Sequence, residues 1–202
     1  MANALLDSLK GANLLPSKVI PSDFHPTVHL DVRFATKTVS NGTLVRVSEV
    51  KEAPTITISR SFPPDSDDTC PATTSLAQAQ KYTFMLIDPD APTPDDPKFA
   101  YWRHWVVTNV PGNPESSNVV GAGRTLTQYL APGPKDESGP HRYLFLVFAE
   151  PEGLGLEKGD VGGEEFVDRR SFGAAEFVER HGLGLVGVQW MRGVGDGWEG
   201  EV

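Results

Sequence analysis

The chain has 202 residues, 39% of them hydrophobic, enough for one domain with a substantial core and too few for two comfortable ones. Its 20 glycines and 17 prolines exceed an ordinary combined share of about 12%, which argues against a helix bundle and for strands joined by ordered loops. With 18 basic against 27 acidic residues the net charge is −9, which leaves no basic footprint for nucleic acid and no broad attraction to an anionic membrane, though one small, locally positive pocket is compatible with it.

Residues 3–12 set Leu5, Leu6 and Leu9 on one side and Asp7, Ser8 and Lys10 around the other, a short amphipathic helix that Gly11, Asn13 and Pro16 stop. So few turns are marginal alone, and the helix must dock on the domain or on a partner. The start has no basic leader region, and Asp7 and Lys10 interrupt any apolar run, so a cytoplasmic location is expected. Residues 27–35 alternate, with Val28, Leu30, Val32 and Phe34 opposite His29, Asp31 and Arg33, as a half-buried strand requires. Asn41-Gly42 signals a turn, followed by a strand in which Leu44, Arg46 and Ser48 oppose Val45 and Val47; residues 55–59 form another alternating piece. Residues 60–79, rich in Pro, Asp, Ser and Thr, predict a long surface loop within the domain. That loop holds Cys70, the only cysteine, so no intrachain disulfide can form.

Residues 82–87, 102–110 and 141–148 are dense apolar runs, short for helices and suited to buried central strands. None approaches the roughly 18 apolar residues that span a bilayer. Residues 112–124 and 131–140 read as loops. Ser171 is placed to cap a helix through about Arg180, packed through Phe172, Ala175, Glu176 and Val178 and closed by His181-Gly182. Residues 183–190 read as a last strand and 193–202 as a loose tail. The expectation is one mainly-β domain over 1–202, with residues 1–20 as an N-terminal helical segment and few peripheral helices.

Three clusters carry candidate chemistry. Asp88-Pro89-Asp90-Ala91-Pro92 ends an apolar strand in two carboxylates held on a rigid corner, where either X-Pro bond can be cis. In Trp102-Arg103-His104-Trp105, strand alternation puts Trp102 and His104 on one face and Arg103 and Trp105 on the other. Gly133-Pro134 and Gly139-Pro140-His141-Arg142-Tyr143 follow, with His141 and Tyr143 sharing a face while Arg142 points away, placed to hold an aspartate. Each has a plainer reading: a polar turn, a packing histidine, a Gly-Pro loop entering a core strand. All three sit at the ends of the most apolar strands, however, so neighbouring strands would bring Asp88, His104 and His141 into one pocket. Two histidines and two aspartates superficially resemble a metal site, but no H-x-x-x-H or H-E-x-x-H spacing is present, and no G-x-S-x-G elbow supplies a hydrolase nucleophile.

At these residues the sequence resembles the phosphatidylethanolamine-binding protein family, in its fungal branch. D-P-D-A-P at 88–92, K-F-A-Y-W-R-H-W at 98–105 and G-P…G-P-H-R-Y at 133–143 occur in the family's order, and the likeness runs from about residue 20 to 191. The leading helical segment and the G-L-x-L-V-G ending resemble the yeast carboxypeptidase Y inhibitor type. The resemblance implies a large central antiparallel sheet with a smaller sheet and helices, and a small pocket for anions such as a phospholipid's phosphate. It maps pocket positions onto Asp88, Trp102, His104, Gly133, Pro134, His141 and Tyr143, with Asp90 and Pro92 bracing the floor and a cis peptide at Ala100-Tyr101. Phe99 departs from a common tyrosine and loses one hydrogen bond to phosphate, about 0.5–1.5 kcal/mol.

The function so implied is binding without turnover: no catalytic residues, no cofactor and no metal. The histidines donate N–H bonds to the anion, and Asp88 orients a histidine, favours its protonated form or accepts from an ammonium group. Expected partners are a phosphate-bearing headgroup or other small anion, and a serine carboxypeptidase entered by the N-terminal segment. A kinase-pathway modulator binding phosphorylated partners is the alternative, and a hydrolase using His104 and His141 a third.

Overall fold

The computed structural model describes residues 2–60, 81–112, 118 and 120–200. Nearly all of the predicted 60–79 loop, Cys70 included, and residues 113–117 and 119 of the 112–124 loop lie outside the described residues. The elements are α1 (Ala2–Gly11), β1 (Val28–Arg33), β2 (Thr38–Val39), β3 (Thr43–Arg46), β4 (Thr55–Arg60), β5 (Lys81–Asp88), β6 (Trp102–Pro111), β7 (Arg124–Thr127), β8 (His141–Ala149), α2 (Ala174–Arg180) and β9 (Gly184–Val194), with short 3-10 turns between them. They build a six-stranded sheet in the order β3-β9-β8-β5-β6-β7 and a three-stranded sheet in the order β2-β1-β4. Both sheets are antiparallel except where β3 runs parallel to β9. This is the mainly-β architecture of a large sheet, a smaller one and few helices that the sequence implied.

Two apolar layers explain why some strands alternate and others do not. Leu30, Val32, Ile56 and Ile58 of the small sheet face Phe84, Leu86, Phe145 and Val147 of the large one. On the far side of the large sheet, Met85, Ile87, Leu144, Leu146 and Phe148 lie under Leu9, Leu14, Ile20 and Phe177. Strand β1, covered on one face, alternates; β5 and β8 are covered on both and read as continuous apolar runs. Helix α1 docks in the second layer, where Leu9 is fully buried and Trp190 Nε1 donates to Ser8 Oγ at 3.0 Å.

The Asn41-Gly42 turn is present, both residues at positive φ (45° and 88°), and it carries the chain from one sheet to the other, because β2 and β3 belong to different sheets. A Cβ on Gly42 would lie 2.5 Å from the Trp190 ring, so close approach as well as φ requires glycine there. Strand β3 stops at Arg46, and Val47 and Ser48 belong to a 3-10 turn (Val47–Glu49).

Three expectations need correction near the C-terminus. Ser171 does not cap α2: it sits at φ 50° and the N-cap is Gly173. Of the expected packed face, Phe172 is buried and Ala175 and Val178 pack partly against the core beside the buried Ala174 and Phe177, whereas Glu176 is exposed. The closing turn is as expected, with Gly182 at φ 62° and Leu183 N–H donating to the Val178 carbonyl. The tail is not loose from residue 193: β9 continues to Val194 beside β3, and Arg46 donates to the carbonyls of Gly195, Asp196 and Trp198.

Candidate functional site

A break in strand register creates the site. Between β5 and β6, Leu86 pairs with Trp105 and Ile87 with Arg103, which leaves His104 as an extra residue on β6, a β-bulge. Strict alternation had placed Trp105 with Arg103. The bulge instead returns Trp105 to the inter-sheet layer, edge-on to Phe84 at 5.2 Å between centroids. Arg103 stays on the other side, its guanidinium 5.2 Å from the Phe172 ring centre and bonded to the carbonyls of Val161 and Gly163. Burial lowers the Arg103 pKa to about 10.

His104 is held at both ends by one residue: its Nδ1 lies 2.7 Å from the Leu130 carbonyl, and Leu130 N–H donates to the His104 carbonyl at 2.9 Å. The buried Arg169 adds bonds to the carbonyls of His104 and Gln128, at 3.1 and 2.9 Å. His141 opens β8, and its Nδ1 lies 2.8 Å from Asp88 Oδ2 at the end of the neighbouring β5. The other Asp88 oxygen accepts the Asp90 N–H at 2.7 Å. Tyr143, two residues along β8, stacks on His141 at 6.2 Å and meets His104 edge-on at 5.3 Å, so one buried phenol stands against both imidazoles.

These residues wall a cavity of about 480 Å³. Of the positions singled out in the sequence, Asp88, Pro92, Phe99, Trp102, His104, Gly133, Pro134, His141 and Tyr143 all line it. Asp90 does not. Its buried carboxylate turns away to accept the Arg142 backbone N–H at 2.7 Å and the Arg142 guanidinium at 2.5 Å, and Arg142 in turn donates to the Ala12 carbonyl behind α1. Arg142 thus holds an aspartate, as its place on the strand suggested. The peptide bonds Ala91-Pro92 and Ala100-Tyr101 are cis. Sequence reasoning passed over Phe166 and Arg170, which also line the cavity from a segment that carries no motif. Among the described residues, no three His, Cys, Asp or Glu side chains are placed together to hold a metal ion.

The electrostatics differ from the simple picture of two donating histidines. Each Nδ1 faces an acceptor, a carbonyl for His104 and a carboxylate for His141, so each Nδ1 carries the proton of the neutral ring. The two Nε2 atoms are then lone pairs, which become N–H donors only when the rings take up a proton. Burial pushes the His104 pKa below its ordinary value, against the opposing pull of the Asp88 charge. Burial, reinforced by Asp88, drives the Tyr143 hydroxyl well above its ordinary value, so it remains a neutral phenol. His141 Nε2 and Trp102 Nε1 are buried without a hydrogen-bond partner among the described residues. Such atoms on a cavity wall are what an oxygen-rich ligand satisfies.

The family model described as phosphatidylethanolamine-binding protein matches residues 24–189, which include every cavity residue named above. The chain belongs to the phosphatidylethanolamine-binding protein family. Protein MOTHER of FT and TFL1 homolog 2 of Oryza sativa subsp. japonica is 29% identical over 127 residues, 63% of this chain. The match spans 60% of the length of that relative. Among solved structures, a carboxypeptidase Y inhibitor complexed with its cognate proteinase superposes with a TM-score of 0.76 at 21% identity, covering 97% of each chain. A phosphatidylethanolamine-binding protein from Plasmodium vivax gives a TM-score of 0.71 at 23% identity, covering 95% of this chain and 97% of the other. At these identities the two structures establish a shared fold.

Proposed function

We propose that this member of the family is a non-catalytic, cytoplasmic regulatory protein that binds a small anion, such as the phosphate of a phospholipid headgroup, in the His104–His141 cavity. The observation that carries the reading is the pair of buried imidazoles on one cavity wall, each fixed through Nδ1 with Nε2 left without a protein partner. Protonated rings in that geometry give charge-assisted donors to an anion's oxygens, and the partnerless Trp102 Nε1 adds a neutral one. Calorimetric titration with sulfate and with glycerophosphoethanolamine tests it. Saturable one-to-one binding lost in His104→Ala supports the reading, and no heat from either ligand sinks it.

The regulated target we propose is a serine carboxypeptidase. Support comes from the shared fold with a carboxypeptidase Y inhibitor along 97% of both chains, and from the leading helix that both the sequence and the structure show. The same features favour the fungal, inhibitor-type branch. In α1, Asn3 and Ala4 are exposed while Leu9 is anchored, so these two residues can enter a cleft without loss of the core. Removing residues 1–4 should abolish inhibition of carboxypeptidase Y while leaving the unfolding free energy within about 0.5 kcal/mol of that of the full chain. Undiminished inhibition by the shortened chain overturns this part.

A second reading rests on the rim. Phe166 and Val167 are the exposed large hydrophobics among the described residues, and Phe166 lies at the cavity. An apolar edge beside an anion pocket suits a phosphorylated segment of a signalling partner such as a kinase-pathway protein. Phosphorylation-dependent pull-down lost on His104→Ala, with no peptidase inhibition, would favour it.

A further inference from the structure

Fixed charge on the cavity wall is scarce, and its distribution singles out one residue. Asp88 is engaged by His141 and by the Asp90 N–H. Lys135 and Glu137 pair with each other at 3.6 Å. His104 is held neutral near pH 7 by burial. Arg170 is the remaining ionised wall residue, and its guanidinium has no hydrogen bond or ion pair among the described residues.

That guanidinium is nevertheless held in place. It lies 4.7 Å from the centre of the Phe99 ring and 5.8 Å from that of Trp102, two cavity-wall aromatics 6.5 Å apart. Stacking on an aromatic face leaves the edge of the guanidinium, with its N–H groups, free to donate. The backbone around it is anchored on both sides. Just before it, Arg169 is buried against the carbonyls of His104 and Gln128; just after it, Ser171 and Phe172 donate their N–H groups to the carbonyls of Phe99 and Tyr101 at 3.0 and 2.9 Å.

We propose that Arg170 is an anion-binding residue of this cavity, seated on Phe99 and Trp102 and supplying a fixed positive charge at its wall. The ligand it selects is an anion whose charged oxygens reach the mouth of the cavity, a phosphate ester or sulfate rather than a neutral polar molecule. This rests on the anion-pocket reading above.

Sulfate affinity of the full chain, measured by calorimetry at pH 7.5 and 5.5, tests it. Arg170→Gln should weaken binding about fivefold or more at both pH values, because the guanidinium is ionised throughout. Arg170→Lys should recover part of the loss, and Phe99→Leu, which removes the platform but no donor, should reproduce part of it. Lys81→Gln makes the same change in net charge at the other end of β5 and should leave affinity unchanged. If the unaltered chain binds no sulfate at either pH, the anion pocket itself fails. If it binds and Arg170→Gln binds equally well, or Lys81→Gln weakens it as much, the pocket stands and the role of Arg170 is overturned.

Discussion

His141 Nδ1 and Asp88 Oδ2 stand 2.8 Å apart with both side chains about 4% exposed, so the carboxylate at the end of β5 fixes which nitrogen of the imidazole carries its proton. Asp88 uses its second oxygen for the Asp90 N–H, and a carboxamide in its place can serve both neighbours only by turning its NH2 toward His141. Asp88→Asn should therefore switch the neutral His141 ring to its Nε2–H tautomer, read from 15N imidazole shifts, at a stability cost of about 1–2 kcal/mol. An Nε2–H tautomer already present in the unaltered protein would contradict the assignment.

Anion binding should be linked to proton uptake at His104. Burial lowers its pKa below the ordinary 6.5, so between the two values the unfolded chain binds more protons than the folded one. The stabilising contribution of His104 is thus present above about pH 6.5 and lost as pH falls through the folded value. A bound anion favours the protonated ring, which reverses the sense for binding. Sulfate affinity should rise as pH falls from 7.5 to 5.5, by up to about tenfold per unit for each linked proton. His104→Gln should remove one proton's worth of that slope, and an unchanged slope would refute the link.

Gly193 sits opposite His141 in the β8–β9 ladder, and a Cβ there would fall 2.6 Å from Tyr143 Cε2. The Tyr143 ring is fully buried against both histidines and has nowhere to yield. Gly193→Ala should cost about 1–3 kcal/mol in urea denaturation and weaken sulfate binding together. Trimming the ring in a Gly193→Ala, Tyr143→Leu double variant should restore part of the stability. Independent, additive losses would show that the contact does not carry the effect.

Arg142 joins the floor of the site to the N-terminal segment through Asp90 and the Ala12 carbonyl. Its side chain is about 30% exposed while that of Asp90 is 2% exposed, so the pair lies between surface and buried ion pairs in worth. Arg142→Ala should destabilise the chain by about 2 kcal/mol and speed hydrogen exchange in residues 2–14. Equal exchange rates in α1 would show that the segment is held by Leu9 and Leu14 packing alone.

How much of this was legible in the sequence follows from how local each feature is. Leu30 and Val32 announce β1 because one face of it meets solvent. Met85, Leu86, Leu144 and Phe145 announce buried strands because both faces are covered, but cannot say which strand pairs with which. His104 and His141 were recognisable as a pair through the motifs around them. The bulge that sets Trp105 on the pocket's side of the sheet was not, because it depends on register with β5. Strand β7 was missed as four residues between loops. Ser171 read as a helix cap because its residue type suits one, whereas in the structure its N–H belongs to the Phe99 carbonyl. Arg170 escaped notice for a similar reason: an arginine in a charged stretch looks solvated, and only the folded chain brings it onto Phe99.

The extra residue in β6 bears on any attempt to move this site elsewhere. Deleting His104 would let the β5–β6 ladder run in regular register from Leu86 to Asp88, so regular pairing and the imidazole are mutually exclusive at that spot. A designer who copies the side chains onto another antiparallel pair by substitution alone would reproduce the composition and miss the geometry. The graft needs one inserted position, with a buried cation behind it to add hydrogen bonds to the surrounding carbonyls, as Arg169 does here to those of His104 and Gln128.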